Sequence, residues 1–437
     1  MSLFFSGKRV QNEINSDFAN RMKIQGINFL NVPNLRFPEF SEDWVQYKCS
    51  DLLEFYSTNS LSWEQLDYDN NDLLNLHYGL IHVGLPTLVN VEQHNLPSVK
   101  PEFKPKNYTL CKNGDVAFAD ASEDTNEVAK PIEFYDCSDK QIVCGLHTIH
   151  GRDKLNATEV GFKGYAFSST PFHHKIRRLA QGSKIYSISS KNFAEVTLGV
   201  PTRKEQRKIV DLLSKLDERI ATQNKIIEDL KKLKVAISNR LLNNKTLLNK
   251  TAPLSNFGEL KNGYAFKSST YVPKGNYHII TIANVSGDRE IVTDSCNTIL
   301  SVPIDIQSHQ ILKSGDILIS LTGNVGRVSL NKGNNNLLNQ RVGLFVPNNS
   351  ISAEFIYQSL SFVQFENSMI NLAQGAAQMN IGKGDIESYQ IRYSDNHQLI
   401  NSISRILLDY DIKIEIENKY LQSLLSQKAY LLSNLFI

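Results

Sequence analysis

Residues 201–243 read PTRKEQRKIVDLLSKLDERIATQNKIIEDLKKLKVAISNRLLN. Ile209, Leu213, Leu216, Ile220, Ile227, Leu230, Ile237 and Leu241 recur mostly in steps of three and four, with two seven-residue steps, one where Gln223 interrupts and one from Leu230 to Ile237. That spacing places them on one stripe of an α-helix. Thr202-Arg203-Lys204-Glu205 has the form of a capping box, with Pro201 marking the boundary ahead of it. At 1.5 Å per residue such a helix is roughly 60 Å long, more than a compact core needs.

A second stripe closes the sequence. Ile403, Leu407, Ile414, Leu421, Leu424, Leu431 and Leu435 predict a similar helix over about 396–436. Just ahead of the two helices, Leu179-Ala180-Gln181-Gly182 recurs as Leu372-Ala373-Gln374-Gly375; 374 less 181 gives a period of 193 residues. Internal repeats decide architecture, so the chain reads as two copies of a domain followed by a long helix. Apolar stripes on two helices of equal length are buried most simply against each other, as an antiparallel coiled coil.

Between the helices the pattern is mixed. Gly114-Asp115 and Gly315-Asp316 are turns that enter short strands, and Ala353 to Met369 predicts a helix. The expected organisation is α+β: an N-terminal extension (1–30), a first globular domain (31–200), a long helix (201–250), a second globular domain (251–391) and a final long helix (392–437).

Charge is informative only locally. The 437 residues carry 47 Lys+Arg and 45 Asp+Glu, a net of +2. Residues 201–250 alone hold 13 basic and 6 acidic side chains, or +7, which leaves −5 on everything else. Five dispersed cysteines without a CxxC pair fit a reducing compartment, and no apolar run approaches a membrane span, so a cytoplasmic chain with no membrane partner is expected.

Motifs restrict the chemistry. Gly382-Lys383-Gly384 has glycine where a phosphate loop needs a hydroxyl, and no Pro-Pro dipeptide of an amino-methyltransferase exists. Asp411-Ile412-Lys413 lies inside the predicted final helix, where a nuclease triplet has no use. Cys137, Cys144, His147 and His150 have ligand-like spacing but no second CxxC half, and read as ordinary strand and turn residues; no metal site is assigned.

Two acid-free stretches stand out. In 160–194, Lys163, Lys175, Arg177, Arg178 and Lys184 are interleaved with aromatics that include Tyr165. In 317–353, Thr322, Asn324, Arg327, Asn339, Gln340 and Arg341 gather beside Gly323 and Gly326. Cations suit phosphates, and Asn, Gln and Arg read adenine and guanine edges. A solvated surface and a tight turn account for the same residues without nucleic acid.

Domain, long helix, domain, long helix resembles the specificity subunit of type I restriction-modification systems. Asn34-Leu35-Arg36-Phe37-Pro38-Glu39-Phe40 with Trp44 looks like that family's opening segment. Pro201 to Ile209 looks like its Pro-x-x-x-Glu-Gln-x-x-Ile helix start, and Gly263-Tyr264-Ala265-Phe266-Lys267-Ser268 and Gly315 to Ser320 resemble elements of its target recognition domains. The second helix departs from the pattern, with Asn396-His397-Gln398 where Glu-Gln is usual.

The resemblance implies a non-catalytic subunit that binds double-stranded DNA at an asymmetric bipartite site, one recognition domain per half-site. It implies two methyltransferase subunits that modify adenine with S-adenosylmethionine, and two restriction subunits that translocate and cleave with ATP and Mg. This chain itself is expected to bind no cofactor. The DNA candidates are the residues of the two acid-free stretches together with Lys267. Glu205, Gln206, Ile209, Leu216, Ile220, Leu230, Ile403, Leu407, Leu421 and Leu431 are candidates for a helical spacer that docks the methyltransferases. The competing reading is a coiled-coil scaffold or clamp for a protein assembly, without sequence-specific DNA readout.

Overall fold

The computed structural model describes residues 31–70, 72–374 and 379–437. The expected N-terminal extension and Gly375 of the repeated tetrapeptide lie outside them. The described residues form two compact units, one within 31–222 with 421–437, and one within 223–420.

The first unit is built on a five-stranded sheet ordered Leu53–Tyr56, Thr148–Asp153, Val116–Ala119, Pro131–Asp136, Leu88–Asn90. Its central strand, Val116-Ala117-Phe118-Ala119, is buried on both faces, as the unbroken apolar run dictates. A second sheet has Ile142–Cys144 parallel to Leu74–Leu76. On the first sheet packs an aromatic cluster in which Phe118, Phe167, Phe172 and Phe193 meet at centroid distances of 4.5 to 6.2 Å. The C-terminus closes this unit: Leu35 N donates to Asn434 O, and the Phe436 ring meets Trp44 edge-on.

The second unit repeats the plan. Its main sheet is ordered Gly258–Asn262, Val342–Pro347, Ile317–Ser320, Val328–Leu330, and Asn336–Leu338 runs parallel to Tyr277–Ile280 in the other. Both units enter their central strand by the same turn. Gly114 and Gly315 take φ of +84° and +90°, and the carboxylates of Asp115 and Asp316 accept the backbone N–H of Lys112 and Lys313 at 2.9 and 2.7 Å. Left-handed backbone suits glycine, and the aspartate fixes the turn. In each unit a strand pair brings the incoming chain to the long helix: Val45–Lys48 with Thr197–Val200, and Lys250–Pro253 with Gln390–Tyr393.

The long helices span Arg203–Leu242 and His397–Asn434. In the first unit Lys428 Nζ meets Asp217 Oδ1 at 2.5 Å, and Tyr165 donates to the other oxygen at 2.9 Å. In the second, Lys234 pairs with Asp411 at 2.5 Å, and Gln223 donates to the Glu417 carbonyl at 3.0 Å, so the helices run antiparallel there. Asp411 also accepts from Arg289 and Gln358, and Arg289 forks onto Glu354 at 2.7 Å twice; the aspartate of the Asp-x-Lys triplet is thus a structural anchor.

Three expectations change. Ala353 to Met369 is not one helix: it breaks at Ser361 and Phe362 into Ala353–Leu360 and Val363–Ala373, because extended backbone at Phe362 turns that ring into the core. Glu205 does not close a capping box; Arg36 takes its carboxylate. Ile209, Leu216, Ile403, Leu407 and Leu431 are buried in the unit cores, Ile220, Leu230 and Leu421 are partly buried, and Glu205 and Gln206 are fully enclosed. These side chains are turned into the packing of the units themselves. Among the described residues no helix is long and apolar enough to cross a membrane.

Candidate nucleic-acid interface

In the second unit four loops converge at one edge of the two sheets, tied by backbone hydrogen bonds. Tyr264 N donates to Leu338 O (2.8 Å), Gln340 N to Tyr264 O (2.9 Å), Leu321 N to Arg341 O (3.0 Å) and Ile381 N to Leu321 O (2.9 Å). Rigid elements thereby present short loops, the usual place for recognition side chains.

This cluster gathers most of the sequence candidates. Lys267, Asn324, Gln340 and Arg341 are exposed on it. Thr322 is half-buried, and its Oγ1 is enclosed without a hydrogen-bond partner among the described residues. Asn339 is buried, and its Oδ1 accepts Arg341 N at 3.1 Å, so it shapes the turn that carries Arg341 and does not reach outward. Arg327 is drawn off: its Nε lies 3.4 Å from Glu366, and its backbone is tied to Ser320. A cavity of about 420 Å³ beside the cluster is lined by Tyr264, Phe266, Lys267, Leu300 and Pro303.

The first unit builds the same cluster from different residues. Asn59 N donates to Cys144 O (3.2 Å), Asp120 N to His147 O (3.1 Å) and Ile188 N to Asp120 O (3.0 Å). These bonds repeat those of Tyr264, Leu321 and Ile381. Gly145-Leu146-His147 therefore stands where Asn339-Gln340-Arg341 stands, and Ile188 where Ile381 stands. His147 and Lys184 are exposed, and His147 Nδ1 lies 3.1 Å from Asp120 Oδ1. Asp120, His147, Gln181, Ile185 and Ser187 line a cavity of about 430 Å³. Gly182 is obligatory in this loop: its φ is +141°, and a Cβ there would fall 1.9 Å from Ile185 O.

The basic run of the first unit is not one surface. Lys163 is 2% exposed; its ammonium lies 3.1 Å from Glu133 and donates to Thr158 at 2.7 Å. Tyr165 is fully buried against Asp217. Lys175 donates to Thr197 O at 2.9 Å. Arg177 and Arg178 are exposed at the end of the helix Thr170–Arg177, where Arg177 donates to Asn126. Helical periodicity disperses what was contiguous in sequence. Lys163 and Tyr165 thus leave the set of DNA candidates, and Lys184 alone of the run sits on the loop cluster. Asp120 and His147 were missed because neither is basic and conspicuous. The tetrapeptide repeat held the signal, since its offset of 193 residues pairs Ile188 with Ile381.

The comparisons with known proteins agree with this architecture. The family model described as "Type I restriction modification DNA specificity domain" matches residues 143–232 and 249–426. The type I restriction enzyme MjaVIII specificity subunit of Methanocaldococcus jannaschii is 25% identical over 225 residues, 46% of this chain, and the match spans 52% of that relative's length. The type I restriction-modification S subunit of M. genitalium superposes with a TM-score of 0.54 at 17% identity, over 93% of this chain and 99% of that one. A structure concerned with complex assembly and conformational transition of the type I R-M system gives a TM-score of 0.54 at 12% identity, covering 89% and 96%. The two matched segments together span more than half of the residues and fall one on each copy of the repeated plan: the chain belongs to the type I restriction modification DNA specificity domain family.

Proposed function

We propose that this chain is the non-catalytic, DNA-reading subunit of a type I restriction-modification complex, acting in the cytoplasm. Each unit reads one half of an asymmetric bipartite site in double-stranded DNA through its loop cluster. The observation that carries this reading is that one backbone device presents two different side-chain sets. Lys267, Asn324, Gln340 and Arg341 offer adenine- and guanine-edge donors and a phosphate cation in one unit. Asp120, His147 and Lys184 offer an acceptor for cytosine N4, a histidine and a cation in the other. Different side-chain sets on the same backbone framework are what two unlike half-sites require.

The long helices, paired as an antiparallel coiled coil, set the length of the unread spacer. Partner methyltransferases modify adenine with S-adenosylmethionine, and partner restriction subunits use ATP and Mg. Methyltransferase docking falls on exposed apolar helix residues such as Leu233, Val235, Ile412 and Ile416, which the cores leave free.

Methylome sequencing of cells with and without the gene tests the reading. A bipartite adenine-methylated motif should vanish with the gene, and alanine at Gln340 and Arg341 should degrade one half of that motif while alanine at His147 and Lys184 degrades the other. If no such motif depends on the gene, or both variant pairs alter the same half, the assignment fails.

A further inference from the structure

Inside the first unit, Cys111, Cys144 and His150 bring their donor atoms within 4.8 Å of one another, and all three are buried. The two sulfurs are 3.6 Å apart. Sulfurs bound at about 2.3 Å around a tetrahedral zinc are about 3.8 Å apart, so little movement separates the observed pair from a ligand pair. We propose that Cys111, Cys144 and His150 form a binding site for a thiolate-seeking divalent ion, zinc(II).

The histidine gives an independent reason. His150 is 1% exposed; its Nε2 and Asp115 Oδ2 are 2.8 Å apart, while Nδ1 is enclosed with no hydrogen-bond partner among the described residues. A carboxylate holding one ring N–H leaves the other nitrogen with its lone pair free, which is the arrangement that orients metal-bound histidines. Arg152 in turn forks onto Asp115 at 2.8 and 2.7 Å and fixes that carboxylate. The group departs from the sequence spacing: Cys111 joins Cys144 and His150, Cys137 falls outside it, and His147 lies out on the loop cluster with Asp120.

The second unit supplies an internal control. His150 pairs in register with Ala117 as Leu344 pairs with Leu318, each on the central strand of its sheet. Cys144 O accepts Asn59 N as Leu338 O accepts Tyr264 N. Cys111 lies against Ile142, where Leu312 lies against Asn336. The three counterparts are leucines in one apolar cluster. The fold thus closes over this point with aliphatic side chains alone, and two thiols with an imidazole are a local replacement whose chemistry needs an occupant. A cavity of about 320 Å³ that includes Asn59, Thr109 and Cys144 in its lining reaches one of the three ligands from outside. Binding releases one proton from each thiol to solvent while neutral His150 adds its lone pair, so the two thiolates offset the charge of the ion.

The test uses the full-length protein purified without added metal. Elemental analysis should find one zinc per chain, and after exchange cobalt(II) should show thiolate charge-transfer bands and the intense d–d bands of a tetrahedral site. Cys144→Ser should lose both signals, whereas Cys296→Ser, in the second unit, should keep them. If Cys144→Ser does not fold, the wild-type metal count and cobalt spectrum still decide. A native protein with no zinc and no cobalt charge transfer, or one with a Cys111–Cys144 disulfide, would overturn the proposal.

Discussion

Arg36 grips Glu205 with two parallel hydrogen bonds, Nε to Oε1 at 2.8 Å and Nη2 to Oε2 at 2.7 Å, and Trp44 Nε1 approaches the same carboxylate at 3.4 Å. The two motifs that looked separate in sequence, the opening segment and the helix start, are therefore one device. Gln206 extends it: its side chain accepts from Glu159 N and donates to Pro201 O and Ala157 O. Glu205 is 1% exposed and Arg36 11%. Removing the arginine strands a buried carboxylate, whereas removing the carboxylate leaves an arginine that can turn toward water. Arg36→Ala should cost about 3 kcal/mol and Glu205→Gln roughly half that. Urea denaturation of both variants checks the order, and equal or reversed costs would contradict it.

Lys163 makes a sharper separation between fold and function. Glu133, fully enclosed, also accepts Gly164 N at 2.7 Å, and burial pushes its carboxyl up despite the nearby Lys163. Lys163→Met should therefore destabilise the first unit by about 3–5 kcal/mol, and adding Glu133→Leu should recover most of it. A lysine on a phosphate would behave differently. Its loss would lower the salt dependence of DNA binding and leave the unfolding midpoint in place.

How much of this was legible in sequence depends on whether a signal is local. The long helices were readable because Ile209, Leu213 and Leu216, and likewise Ile403 and Leu407, repeat within a few residues. The Gly-Asp turns were readable because glycine and aspartate each do a local job. Partnerships across the chain were not. Nothing near Glu205 reveals that Arg36 will take its carboxylate, and nothing near Cys144 reveals Cys111. The acid-free run misled because a helix turns neighbouring cations to different sides, sending Lys163 inward and Arg178 outward.

His173 gives the first unit a pH dependence of its own. Burial pushes it down to about 4, opposed by Glu127 and reinforced by Arg177, Lys130 and His174. Its folded value thus lies below the ordinary 6.5. The unfolded chain binds a proton that the folded chain refuses, so the contribution of His173 is intact above pH about 6.5 and is lost as pH falls from there to about 4. The loss amounts to at most about 3 kcal/mol. His173→Gln should flatten that part of the stability curve in urea titrations stepped across this interval. A variant whose stability falls as steeply as the wild type would show that other groups carry the effect.

Arg341 separates base reading from charge in the second unit. Its backbone is fixed twice, since Asn339 Oδ1 accepts its N–H and its carbonyl accepts Leu321 N, so the exposed guanidinium projects from a rigid turn. A guanidinium forks onto guanine O6 and N7, while an ammonium is a point charge without that geometry. Arg341→Ala should lose about 1–3 kcal/mol of discrimination at one base pair of one half-site, with the other half-site unchanged. Arg341→Lys should restore the electrostatic part of binding but leave the discrimination lost. Competition binding against single-base variants of the methylated motif, repeated at several salt concentrations, distinguishes the two contributions. If lysine recovers the base preference, Arg341 is a phosphate contact and the reading set of the second unit narrows to Asn324 and Gln340.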